Sequence, residues 1–307
     1  MTRINTNKNY LRHSCHSLIL LFFFLFSLLS CQTAPKMPNI SHDGRLPLEP
    51  EAYVYIIAEK DALPILNQLM FTDIKDTQFQ QMVDRTRFAV AAVYLTPDVK
   101  AGKINSRYRL AAWGSYPASR AKMGLGSSKE WTKQRSAVSG ADYWYSPQRG
   151  LSVAITGKMA LVATAAPNGG QRDPYSAAPG TAEPEGFAAF REGSILSCWL
   201  TDPGPAINKK ITEMGIPLEI PAEQVFVSLF PADGQRYIAH LQIQLPGASQ
   251  ARALTTMFAL VRNFIPPQSE LGILFANPPV QDGGNLRITT APLSDREIAL
   301  LLKMFSI

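Results

Sequence analysis

The stretch "PNGGQRDPYSAAPGTAEPEG", residues 167–186, decides how the chain is divided. Pro, Gly, Ala and Ser dominate it, and neither helical nor strand periodicity survives there. On both sides of it the same order of events runs. Upstream, "AYVYIIA" (52–58) has the β-branched, apolar character of a buried strand, and two helices are expected over 62–71 and 76–86. Two longer strands follow, "RFAVAAVYL" (87–95) and "YRLAAWGSY" (108–116), and a hairpin turn is expected at Gly157-Lys158. Downstream, "SILSCWL" (194–200) reads as a strand and 205–214 as a helix. "EQVFVSLF" and "QRYIAHLQIQL" form a strand pair broken at Asp233-Gly234; a helix over 248–264 and the strand "NLRITT" complete the set.

The sharpest echo is "YPASRAKMG" at Tyr116 against "LPGASQARAL" at Leu245. Each follows a long strand, and each opens a helix with a proline expected just inside its start, where the missing N–H costs nothing. The expected fold class is therefore α+β, in two similar lobes, each a sheet packed with helices. Lobe 1 spans 51–166, the linker 167–186 and lobe 2 187–307. An internal repeat and a coincidence of element order both fit this pattern. At the C-terminus Ser294 and Glu297 form a capping box ahead of "IALLLKMF", which puts Ile298, Leu301, Leu302 and Phe305 along one helical face.

Hydrophobic residues at 46% and charged residues at 18% describe a globular chain of 307 residues. The formal charge of +6 owes much to Arg3, Lys8 and Arg12 near the N-terminus; without those three, 27 of the 30 basic residues face 24 acidic ones. With no dense Lys/Arg run in the body, nucleic acid is not an expected partner.

The N-terminus carries an address. Basic residues precede an apolar run over 18–29, which is too short to span a bilayer, since a spanning helix needs about 20 apolar residues. The run ends at Leu28-Leu29-Ser30-Cys31, which resembles the lipobox of bacterial lipoproteins. The resemblance implies removal of residues 1–30 as a signal peptide and lipidation of Cys31, with palmitate among its acyl chains. It also implies a place in the cell envelope, and Gln32 favours the outer membrane, facing the periplasm. Leu29 is a looser match, standing where Ala, Ser or Thr is common. Several acyl chains at one point hold a protein far better than one. Residues 31–50, "CQTAPKMPNISHDGRLPLEP", then form a proline-rich tether with a reach of roughly 20–30 Å on flexible-chain scaling. With Cys15 in the leader and Cys31 lipidated, Cys198 stands alone and no internal disulfide is expected.

Signs of catalysis are sparse. His42 lies in the tether, and His240 shares the polar face of its strand with Gln242 and Gln244. No G-x-S-x-G occurs, and "GLGSSKEW" (124–131) lacks the spacing of a phosphate loop. Glu183 and Glu185 fall in the linker, where nothing in the sequence holds them rigid. No catalytic residue, metal site or cofactor is assigned.

Two stretches are candidate surfaces. "DYWYSPQRG" (142–150) gathers Tyr143, Trp144, Tyr145 and Arg149, able to stack on sugars or anchor a protein, or else to fill a strand's core. "ARALTTMFALVRNFI" (251–265) carries Leu254, Phe258 and Val261 on a broad apolar face, suited to a lipid interface or to covering its own sheet. The expected function is a non-enzymatic binding or scaffold lipoprotein with an envelope protein or lipid as partner. The alternatives are a lipid-binding or membrane-perturbing protein using that helix or an inter-lobe cleft, and an unrecognised cell-wall hydrolase.

Overall fold

A computed structural model describes residues 45–63, 84–98, 103–164, 171–176, 180–213, 219–266, 269–274 and 276–298. The leader, Cys31, most of the tether, most of both early helices and the end of the terminal helix lie outside these residues; Thr86, expected to end the second helix, instead opens a strand. The fold is α+β: antiparallel strands with helices packed against them. Its strands are β1 (Arg45–Leu46), β2 (Val54–Glu59), β3 (Thr86–Asp98), β4 (Lys103–Gly114), β5 (Thr132–Arg135), β6 (Asp142–Ser146) and β7 (Leu151–Ile155). They continue with β8 (Met159–Thr164), β9 (Thr181–Ala182), β10 (Leu196–Thr201), β11 (Gln224–Ala232), β12 (Arg236–Gln244), β13 (Val280–Asp282) and β14 (Asn285–Thr289). Fully within the described residues lie the α-helices α1 (Ala118–Ser127), α2 (Phe187–Phe190), α3 (Gly204–Glu213), α4 (Ala248–Val261) and α5 (Glu270–Leu274). Among the described residues no helix is long and apolar enough to cross a membrane.

The chain forms two compact units, neither continuous in sequence. The first takes in Leu66–Ala89 and Arg107–Ala177, the second Asn39–Ile65, Val90–Ser106 and Ala178–Ile307. Strands β3 and β4 contribute residues to both, and one passage between units falls inside the 167–186 stretch, after Ala177.

In the first unit the strand order is β3-β4-β8-β7-β6-β5. The β7–β8 hairpin closes as its sequence predicts: Gly157-Lys158 form the loop, and the Thr156 hydroxyl accepts the Met159 N–H at 2.9 Å. Helix α1 packs against β7 with Ala121 and Leu125 buried. Gly114 permits a close crossing, because a Cβ there would lie 2.2 Å from the Arg85 carbonyl oxygen. Only glycine fits beside that backbone.

In the second unit the order is β13-β14-β12-β11-β10-β2-β3-β4. Alternation along its strands sorts two faces. One carries Val225, Leu241, Ile243, Leu286 and Ile288, all buried, and α4 packs along β13 and β14 with Ala251 and Leu254 buried. The other face starts with an aromatic cluster. Tyr55 stacks on Trp199 at 4.4 Å, and Phe187 of α2 meets Trp199 and Phe226 edge-on at 4.8 and 5.1 Å. Such edge-to-face pairs add to the large area that aromatic rings bury.

Helices α1 and α4 carry the sequence echo, each following a long strand. Their prolines stand earlier than predicted, Pro117 by one position as the N-cap of α1 and Pro246 by two, before Gly247, the N-cap of α4. At the C-terminus the capping box forms. The Ser294 N–H donates to Glu297 Oε2 at 2.8 Å, and the Glu297 N–H donates back to the Ser294 hydroxyl at 3.4 Å. Leu301, Leu302 and Phe305 lie outside the described residues.

Candidate functional site

The second unit holds an open groove of about 780 Å³ on the sheet face that bears the aromatic cluster. Its floor is made by β11, β12 and β14. The pairing Gln224↔Gln244↔Asn285 crosses three strands, and so do Phe226↔Gln242↔Arg287 and Ser228↔His240↔Thr289. Because side chains alternate across a strand, those rows point to one side. The amides of Gln224, Gln242, Gln244 and Asn285 thus meet Arg287 and His240 in one trough.

Its wall is the segment from Pro184 to Phe190. Four residues are too few for a helix to stand alone, so α2 is held from outside. Phe187, fully buried, pins it to Trp199 and Phe226, and Gly186 enters with a left-handed φ of 77° that favours glycine. Arg191 donates from Nε and Nη2 to the two carboxylate oxygens of Glu183 at 3.2 and 2.8 Å, tying the ends of the segment together. Such a two-pronged contact fixes geometry as well as charge. Glu183 is therefore rigidly held, against the sequence expectation for this stretch. Phe190 is left half-buried on the groove side, tilted against Phe226 at 5.8 Å.

The groove is close to electrically neutral. Arg287 and Glu185 are its formal charges. Arg287 donates from Nε to Gln242 Oε1 at 2.9 Å, and its Nη2 meets Asp282 at 3.1 Å. His240 packs on Phe230 at 4.6 Å, and burial lowers its pKa below the ordinary 6.5, which favours a neutral ring at pH 7. Ser228 sits opposite His240, yet its hydroxyl is hydrogen-bonded to Ser197 at 2.9 Å and not to the imidazole. An activated serine needs that imidazole contact.

The sequence-chosen surfaces lie elsewhere. In the first unit Tyr143 and Trp144 are 5% and 3% exposed, and Gln171 hydrogen-bonds the Tyr143 hydroxyl. Tyr145 is half-buried, and Arg149 donates from Nε and Nη2 to Glu130 at 3.2 and 2.8 Å. Tyr143 and Trp144 thus fill the core around their strand. On α4, Leu254 is 7% exposed and Phe258 half-buried, so this side of the helix faces the fold; Val261 is part of α4, its side chain outside the described set. The apolar residues that reach solvent are Leu260 on α4 and Phe264 just beyond it, at 61% and 86% exposure. Desolvation also pushes the half-buried Cys198 thiol up to about 12, which keeps it protonated at neutral pH.

Sequence reasoning put His240, Gln242 and Gln244 on a polar strand face but missed the groove. The available signal was a strand with amides at alternate positions, repeated opposite by Asn285 and Arg287. Nothing local announced the α2 wall.

No protein-family model matches this chain, and no curated protein matches it. Solved structures do. Crystal form III of TP0453 superposes with a TM-score of 0.58 at 17% identity, over 84% of this chain and 98% of that one. The chain shares the fold of TP0453. Crystal forms I and IV of TP0453 give TM-scores of 0.56 and 0.55 at 16% and 17% identity. They cover 85% and 82% of this chain, and 98% and 92% of theirs. At this identity the likeness to TP0453 is one of fold alone.

Proposed function

We propose that the chain is a lipid-anchored envelope protein that binds a ligand without transforming it, using the groove of the second unit. The observation that carries this is a floor of neutral polar side chains behind a wall held by buried aromatics and an ion pair. Pre-organised polar groups in a concave site are what a binding protein needs. Turnover needs more. Among the described lining residues there is one carboxylate, Glu185, so the paired acids of glycoside hydrolysis are missing there.

The anchor part of the proposal rests on Leu28-Leu29-Ser30-Cys31, with Cys31 acylated and the body held at the outer membrane on its periplasmic side. The β4–α1 and β12–α4 passages support an internal repeat, in two related lobes, as its architectural counterpart. Metabolic labelling with an alkynyl palmitate tests the anchor: label should enter the wild-type chain and be absent from Cys31→Ser. For the groove, a photo-crosslinking amino acid at Asn285 in native cells should give a defined envelope adduct, and one at the exposed Val138 should not. Equal adducts at both positions, or none, would remove the case for a binding site.

A second reading, contact with a lipid surface, is favoured by Leu260 and Phe264, which turn apolar side chains to solvent near the end of α4. Flotation on neutral and anionic vesicles tests it with a chain lacking residues 1–31, which removes both the apolar leader and the acyl anchor. Flotation that falls with Leu260→Ser and Phe264→Ser supports the contact; a chain that stays in solution on both vesicles argues against it.

A further inference from the structure

We infer that the groove of the second unit takes a neutral, polyhydroxylated glycan chain, a ligand class that rests on the binding-protein reading of the same groove. Four features converge on it.

The first is charge. Arg287 is engaged by Gln242 on one side and Asp282 on the other, and the remaining formal charge in the lining is the exposed Glu185. A site for phosphate or carboxylate would leave its guanidinium fork open for two-pronged contact. The second is the amide set. Each amide offers two N–H donors and a two-lone-pair acceptor, matching hydroxyls that both donate and accept. The Gln224, Gln244 and Asn285 amides make no side-chain hydrogen bond within the described residues, so their capacity is open to a ligand.

The third feature separates sugar from peptide. An extended peptide binds a sheet by pairing with a free strand edge. Strand β12, the centre of the groove floor, has β11 on one side and β14 on the other, so its backbone is already paired. Recognition there falls to side chains, which suits a ligand whose polar groups are spread around rings. The fourth is Phe190, an aromatic ring in the wall beside the amides. The negative face of such a ring attracts the slightly positive C–H face of a sugar.

The test uses the full chain held in amphipol, with chitohexaose and cellohexaose as neutral glycan probes, one N-acetylated and one not. A capped, uncharged hexapeptide serves as the peptide probe. Calorimetric titration should show saturable binding of at least one glycan. Gln244→Ala and Asn285→Ala should each weaken it about fivefold, the loss expected for one neutral hydrogen bond. Phe190→Ala should weaken it further, and Val138→Ser should leave it unchanged. Thermal unfolding of each variant checks that the fold is kept. Peptide binding at the groove with no glycan binding would overturn the glycan class and leave the binding-protein reading standing. Glycan binding indifferent to all three groove variants, or no binding of any probe, would also overturn it. Release of shorter saccharides by the wild type, seen by mass spectrometry, would instead overturn the non-enzymatic reading.

Discussion

Two strands of this molecule exchange the roles their compositions suggest. Strand β6, "DYWYS", has the residues of a binding surface, yet Tyr143, Trp144 and Ser146 are buried. Strand β12, "RYIAHLQIQ", has an ordinary two-faced alternation, yet its polar row floors the groove. The difference lies in what covers each strand. On β6 the residue 171–176 segment reaches Tyr143 through Gln171, and α1 packs on the neighbouring β7. On β12 the cover on the polar side stops at α2, so the remaining polar row is recessed but open. Side-chain type thus proposes a role, and the layer above the sheet decides it.

Substitutions can break that contrast, and the largest effect belongs to the buried side. Trp144→Ala should cost about 3–5 kcal/mol in chemical denaturation, the usual loss for a large aromatic core residue. A surface Trp would change stability by about 0.5 kcal/mol or less. Phe187→Ala should cost a similar amount, about 3 kcal/mol at the low end. It should also abolish groove binding, because α2 loses its pin to Trp199 and Phe226. If binding survived in a folded Phe187→Ala chain, the wall would not be what shapes the site.

Gly114→Ala comes next. A methyl group 2.2 Å from the Arg85 carbonyl oxygen forces the backbone apart, and the cost should be about 1–3 kcal/mol, read as a lowered denaturation midpoint. Gln244→Ala is the reverse case. Its side chain makes no hydrogen bond within the described residues, so stability should stay within about 0.5 kcal/mol while ligand affinity falls.

The smallest effect is a pH slope. Burial lowers the His240 pKa in the folded state, so the unfolded chain takes up this proton first as pH falls. The group's contribution is complete above pH 6.5 and is lost as pH drops below 6.5 through the folded pKa. His240→Gln should flatten that part of a melting-temperature profile; an unchanged slope would place its origin in another group.

Alternation, turn residues and capping chemistry made the strands and hairpins legible. The β7–β8 turn, the helices after Pro117 and Pro246, and the Ser294–Glu297 box could all be read from residues a few positions apart. The α2 wall could not be, since four residues carry no period and Phe187 is held by Trp199 and Phe226, which are distant in sequence. The two readings of α4, lipid interface or cover for its own sheet, stayed open in the sequence for a related reason. A helix's apolar stripe shows that something covers it, and Leu254 shows that here the cover is the protein itself. Leu260 and Phe264 stand outside that stripe and became visible only once the helix was seated.

The central pairing of the second unit sets a timetable for folding. Val54 of β2 lies beside Leu200 of β10, 146 positions further along (200 − 54). Contacts of such long sequence separation close slowly, because the intervening chain must give up its freedom first. During synthesis, β2 emerges long before β10, the strand that will flank it on that side. A chain interrupted after β3 but before residue 196 would keep an apolar strand with one edge bare, a template for pairing with other molecules. The protein should therefore depend on an escort that shields early strands, more so than a chain of equal size built from successive hairpins.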